Sequence, residues 1–145
     1  MQYFESNCDN FCNAIYNINM QLIKGDYMKR IDKIKLHRKI IRTLFETYNP
    51  GKKIPIWVYL HDLDKLIMIK LGVQPKLASK IHRKFAFHHA ENIFGIINGI
   101  EMIYDWESAR FSKPDKQLNA IETCEMFYPG LKQKLLPLIH FELIH

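Results

Sequence analysis

The sequence predicts an all-α fold, a bundle of about six to seven helices. Apolar residues recur at three- and four-residue steps through most of the chain, the period of a helix with one buried face. Long runs are rich in Ile, Leu, Lys and Glu, whereas six Gly and six Pro are too few for the many tight turns of a sandwich. The length, 145 residues, suits one domain and suffices to bury a continuous core without disulfide or metal staples. Residues 1–145 are read as a single helical domain, with no internal repeat, low-complexity segment or linker.

Residues from about Glu5 to Lys24 read as an amphipathic helix with Phe11, Ile15, Ile18 and Leu22 on one face, ended by Gly25. A second helix, from about Tyr27 to Tyr48, carries the stripe Ile31, Ile34, Ile41, Leu44 and Phe45. His37 falls within that stripe and so points inward. Asn49-Pro50-Gly51 is a turn, and Pro55 suits a helix start. From about Ile56 to Leu71 the chain is apolar almost all round, as a central buried helix would be, and Gly72 closes it. Pro75 opens a fourth helix to about His88. A fifth spans about Phe94 to Phe111, its first turns weakened by Gly95 and Gly99. After a polar loop with Pro114 come two shorter helices, about Leu118 to Phe127 and Leu131 to Leu143, the second with a bend expected at Pro137.

Composition excludes several classes. Apolar residues at 48% and charged residues at 25% indicate a globular chain. The opening MQYFESNCDN lacks a basic segment followed by an apolar one, so no signal peptide is expected. No uncharged apolar run reaches about 18 residues, so no membrane span is expected either. Three Cys suit a reducing, cytoplasmic compartment; Cys8 and Cys12 lack zinc-ribbon spacing and read as small core residues. Richness in Ile, Lys and Asn suits an AT-rich genome, a viral one included, for which the compartment would be host cytoplasm.

The net charge is +6, and between Lys24 and Lys53 ten Lys or Arg face only Asp26, Asp32 and Glu46. Such a face attracts phosphate-bearing partners or is simply a solvated helix surface. No Phe, Trp or Tyr interleaves with the dense basic run 29–42, so a single-strand nucleic-acid surface is not favoured.

Five of the seven His lie between positions 37 and 89. His61-Asp62 falls in the most apolar segment, where an ionised carboxylate costs several kcal/mol unless a cation compensates it. A divalent metal is the natural partner, and a mixed imidazole and carboxylate set suits Mn, Fe, Co, Ni or Zn without choosing among them. An N-cap, or a buried ion pair with Lys65 one turn on, is the alternative. Asp105 is a further ligand candidate, its alternatives being a helix cap or a pair with Arg110. Glu101, one turn before Asp105, is placed to accept a hydrogen bond from a ligand His. His82 and His89, seven residues apart, share a face on a continuous helix; His88 points elsewhere unless the helix ends first. Arg110, Lys113 and Lys116 follow Asp105 as a phosphate-binding cluster or an ordinary basic loop. Trp57 and Trp106 read as core or pocket-wall residues, and His140 and His145 receive no role.

The ordered set His37, His61-Asp62 and Asp105, with the run His61-Asp62-Leu63-Asp64-Lys65, resembles the HD-domain superfamily of metal-dependent phosphohydrolases. Asp64 departs from the small residue usual there, which puts the role of Lys65 in doubt. His82, then His88-His89, then Asp105-Trp106, is similar to an uncharacterised HD-related family of bacteria and phages, over roughly residues 33–125. The resemblance implies an HD-like bundle with His37, His61, Asp62 and Asp105 as metal ligands. It also implies a second ion on His82 with His88 or His89, bridged to the first by Asp62. The implied activity is hydrolysis of a nucleotide or other small phosphoester by a metal-activated water. In that reading Asp62 and Lys65 are catalytic, and Lys65, Arg83, Arg110 and Lys113 contact substrate. Two further readings stay open: an inactive HD-like protein that sequesters a nucleotide or partner, and a di-iron oxygenase. The sequence does not fix the oligomeric state.

Overall fold

The sequence RIDKIKLHRKIIRTLFETY places apolar side chains at three- and four-residue steps, and it forms α1, Arg30–Tyr48. In the computed structural model, which describes residues 30–89, 95–113 and 115–144, this helix buries Ile34, His37, Ile40, Ile41, Leu44 and Phe45. The helix expected over Glu5 to Lys24, with Cys8 and Cys12, lies outside the described residues, as do Pro114 and His145. The remaining α-helices are α2 (Ile56–Leu60), α3 (Leu63–Lys70), α4 (Pro75–Phe85), α5 (Gly95–Ser112), α6 (Ala120–Phe127) and α7 (Lys132–Leu143). A 3-10 turn, Pro129–Leu131, precedes α7. No strand occurs among the described residues, and the fold is an all-α bundle. No helix among them is long and apolar enough to cross a membrane.

The central element is α5. It packs along α1 on one side and on α6 and α7 on the other. Its Tyr104 joins Ile40, Ile41, Leu44, Phe45 and Val58 in one core cluster. Its Met102, Ile103 and Trp106 join Ala120, Cys124, Leu135 and Ile139 in a second. Gly99 permits this, since a Cβ there would lie 3.3 Å from Leu138 Cδ1 and 3.4 Å from Leu135 Cδ2. The glycine that weakens helix propensity allows close packing of α7. Asn119 starts α6 with a capping box, accepting from Glu122 N while Glu122 accepts from Asn119 N. Trp106 stacks on Tyr128 at 4.9 Å, a core role.

The segment from Ile56 to Leu71 departs from expectation twice. It is not one helix but two, α2 and α3, broken at His61-Asp62. Nor is it the central buried element: of α2 and α3 only Val58 and Leu66 are buried, while Ile56 is 73% and Leu71 79% exposed at either end. The break is made by Asp62, which takes φ 55° and ψ 12°. Asp is one of the few non-glycine residues that enter this left-handed region readily. The consequence is functional. On an unbroken helix, neighbouring side chains diverge by about 100°. The kinked backbone instead turns both His61 and Asp62 inward, where they are 1% and 5% exposed.

Candidate metal centre

The face of α5 opposite α7 carries Glu101, Asp105, Ser108 and Ser112, spaced four, three and four residues apart, which aligns them along one stripe. Across from it lie His37 of α1 and His61 of the break. His37 Nε2 is 2.8 Å from Asp105 Oδ1 and 3.3 Å from His61 Nε2. His61 Nε2 is 3.7 Å from Asp105 Oδ1 and 3.9 Å from Asp62 Oδ1.

The hydrogen-bond network fixes which ring nitrogens carry protons. Ser108 Oγ donates to Asp105 O at 2.8 Å and Ser112 Oγ donates to Ser108 O at 3.0 Å. Both hydroxyl protons being used, their oxygens accept from His37 Nδ1, 3.2 Å from each. His61 Nδ1 donates to Glu101 Oε1 at 3.0 Å. With both rings neutral, the two Nε2 atoms are left with lone pairs, and they face each other and two carboxylate oxygens. Four acceptors then converge on one point, unless a proton sits on His61 Nε2. That arrangement can accept a metal ion in place of the proton, and His–carboxylate support behind each ligand His is how proteins present imidazole to metals.

The same construction is repeated beside it. Helix α4 ends at Phe85, short of the expected His88, so His88 and His89 are carried inward by the following turn. His82 Nδ1 donates to Asp64, 2.8 Å from Oδ2, and His88 Nδ1 donates to Glu101 Oε1 at 3.2 Å. Their Nε2 atoms face each other at 3.2 Å, and His82 Nε2 is 2.9 Å from Asp62 Oδ1. His89 Nε2 is buried with no hydrogen-bond partner among the described residues. Three overlapping groups can hold a metal ion, their ligand atoms all within 4.8 Å of one another: His37, His61 and Asp105; His61, Asp62 and His88; His82, His88 and His89. The donor chemistry fits a divalent metal.

The charges agree. Asp62 and Asp105 are held well below the usual carboxylate range: burial alone would raise them, but the His82 contact at Asp62 and the His37 and His61 contacts at Asp105 outweigh it. Glu101 is held down to about 2, burial again overcome by His61 and His88. His61 is pushed up to about 10, because Asp105, Glu101 and Asp62 override the effect of its burial. Burial lowers His37, and burial with the neighbouring His88 lowers His89 to about 4. The carboxylates therefore demand positive charge at a point surrounded by imidazole nitrogens.

The structure shows which of the alternative contacts form. Asp62 occupies the N-cap position of α3 but its side chain makes no capping bond. Its ion pair with Lys65 is present at 2.8 Å through Oδ2, leaving Oδ1 to the histidines. Asp105 pairs with His37, and Arg110 pairs instead with Glu107 at 2.5 Å and lies over the Phe111 ring. Arg110 lines a separate cleft with Asn119 and Ile139, so the structure does not bring it to the cluster. Arg83 is on the exposed side of α4. Lys113, at the end of α5, is exposed; partial burial of its ammonium, with Lys116 and Lys65, lowers its pKa against the fields of Asp105 and Asp62. His140 is exposed on α7. Sequence reasoning missed Asp64 as the partner of His82, and Ser108 and Ser112 as partners of His37. The four-three-four spacing along α5 was the available signal for the serines. Trp57 lines a cleft beside the centre, as a pocket wall. Comparison of the chain with family models, with curated proteins and with solved structures gives no match.

Proposed function

We propose that the chain is a metal-dependent phosphohydrolase with the HD arrangement, acting on a small phosphoester of nucleotide size. His37, His61, Asp62 and Asp105 would hold one divalent ion, and Asp62 with His82, His88 and His89 a second. The observation that supports the reading is the uniform orientation of His37, His61, His82 and His88. Each presents Nε2 inward while a hydroxyl or carboxylate holds its Nδ1. A divalent ion in such a set polarises phosphoryl oxygens and acidifies water. Asp62 supplies one oxygen toward both histidine groups and gives the other to Lys65. The Lys65 ammonium sits beside the ligand carboxylate, where it neutralises charge that develops on a phosphoryl oxygen. Lys113, in the field of the same carboxylates, is the second cation suited to phosphate. Among the described residues no thiolate takes part, so the donor set suits Mn, Fe, Co, Ni or Zn alike.

The test is elemental analysis of the purified protein, followed by chelator stripping and add-back of each metal against a broad phosphoester panel. The expected result is one or two ions per chain and turnover lost on stripping and restored by a transition metal. A fully loaded protein with no turnover on any ester refutes the hydrolase reading.

A further inference from the structure

Beside the centre lies a cleft of about 320 Å³ whose floor includes Asp62 and His82. Its walls include Ile56 and Leu60, one turn apart on α2, together with Phe85 at the end of α4 and Phe87 in the turn after it. These four side chains are 73%, 55%, 67% and 63% exposed, respectively, so large apolar groups are turned to solvent around an otherwise polar site. Scattered exposed apolar residues need no explanation, but here they ring one concavity of ligand-pocket size that opens onto metal-ligand candidates. Among the described residues the lining contains no Lys or Arg; apart from the carboxylates and histidines of the centre, its polar groups are the Asn98 side chain and the Trp57 indole N–H. A polyphosphate tail would find no lysine or arginine there among the described residues, and away from the centre a nucleobase would meet only Asn98 and the Trp57 N–H.

We infer that the cleft seats the uncharged half of the substrate, and that this half is an aryl or branched alkyl group. The inference rests on the phosphohydrolase reading of the adjoining centre and specifies its substrate class. The turn 86–89 carries both Phe87 and the ligand histidines His88 and His89, so an apolar group in the cleft packs directly against the segment that supplies ligands.

The experiment is calorimetric titration of the metal-loaded, full-length protein with methylphosphonate, phenylphosphonate and adenosine monophosphate, beside the turnover panel. Phenylphosphonate is expected to bind about tenfold or more tightly than methylphosphonate, the discrimination an apolar pocket gives for added hydrocarbon. The double variant Phe85→Ser, Phe87→Ser should bring that ratio close to one, with metal content and circular dichroism confirming an intact centre and fold. Equal binding of the two phosphonates, as when another part of the chain fills the cleft, overturns the inference. So does a ratio that survives the double variant, or adenosine monophosphate binding more tightly than phenylphosphonate. A phenyl preference without turnover of any ester supports the cleft while refuting hydrolysis; turnover without a phenyl preference does the reverse.

Discussion

Glu101→Gln is the substitution that tests the architecture of the centre most directly. Glu101 Oε1 accepts from His61 Nδ1 at 3.0 Å and from His88 Nδ1 at 3.2 Å. One carboxylate oxygen thus orients ligands belonging to both histidine groups. Glutamine keeps the shape, removes the charge and makes each bond weaker. Losing the partner behind a ligand His costs about 10–100-fold in metal affinity. Two histidines depend on this one group, which places the intrinsic loss near 100-fold, or about 2.7 kcal/mol. An opposing effect exists. Glu101 is one of the groups that raise His61 to about 10, so its neutralisation weakens the proton that competes with metal for Nε2. The net loss at neutral pH is therefore about 10-fold or more, approaching 100-fold in alkaline buffer. Competition against a chromogenic chelator with Zn or Co measures it. Asp64→Asn is the control, because His82 is the one candidate ligand histidine that Asp64 bonds among the described residues; it should weaken the His82 position about tenfold and leave the His37–His61 position alone. If Glu101→Gln stays within about threefold of the parent protein at both positions, the shared-carboxylate reading is wrong.

Metal binding should release protons and strengthen with pH up to about 10, because His61 is protonated below that value and must lose its proton to ligate. The metal-free fold should behave oppositely: a pKa raised above the ordinary 6.5 makes the His61 contribution to stability fully present below 6.5 and lost as pH rises through about 10. Dye-monitored proton release at pH 8 that is indistinguishable from zero would count against the first. At Asp62, Asn tolerates the left-handed backbone and Ala does not, so Asp62→Ala should melt below Asp62→Asn by the cost of that conformation, about 1–2 kcal/mol. Equal melting temperatures for the two variants would mean the backbone relaxes at no cost. Tyr104→Phe removes the hydroxyl that accepts from Asn49 Nδ2 at 2.8 Å and donates to Glu142 Oε2 at 3.2 Å, both within the core. About 1–3 kcal/mol should be lost, which denaturant midpoints resolve, with an unchanged midpoint showing that the three groups do not act together.

The parts of the fold written as periodicity were legible. The α1 stripe placed His37 between Ile34 and Ile41, and all three are buried. The break at His61-Asp62 was not legible, because no Gly, Pro or Asn announces it; an aspartate adopts the left-handed conformation and only the tertiary site gives it reason to. The apolar density from Ile56 to Leu71 was read as burial on all sides, yet Ile56 and Leu60 face a cleft. Hydrophobic pattern reports how much apolar surface a segment has, and cannot separate core from pocket wall. Asp64 showed in sequence only as a departure from a familiar run. Its meaning comes from His82, 18 residues later and on another helix. The N–H that a carboxylate holds is a contact across space, which periodicity along one helix does not encode.

The two histidine groups differ in what holds them. His37 stands on α1 and its partners Asp105, Ser108 and Ser112 on α5, and these two helices pack along each other over a core of Ile40, Ile41, Leu44 and Tyr104. Moving one ligand relative to the other would require shifting a close-packed interior, which is rigid. His88 and His89 instead sit in a turn beyond α4, a helix that packs chiefly on the short α3. Their geometry depends on local contacts: Glu101 behind His88, and the hydrogen bond from His89 N to Ala86 O at 3.4 Å. Glu101 belongs to α5 and reaches His88, so it ties the turn to the core. One position is thus held between two packed helices and the other by a turn, and the two are joined through Asp62 in front and Glu101 behind.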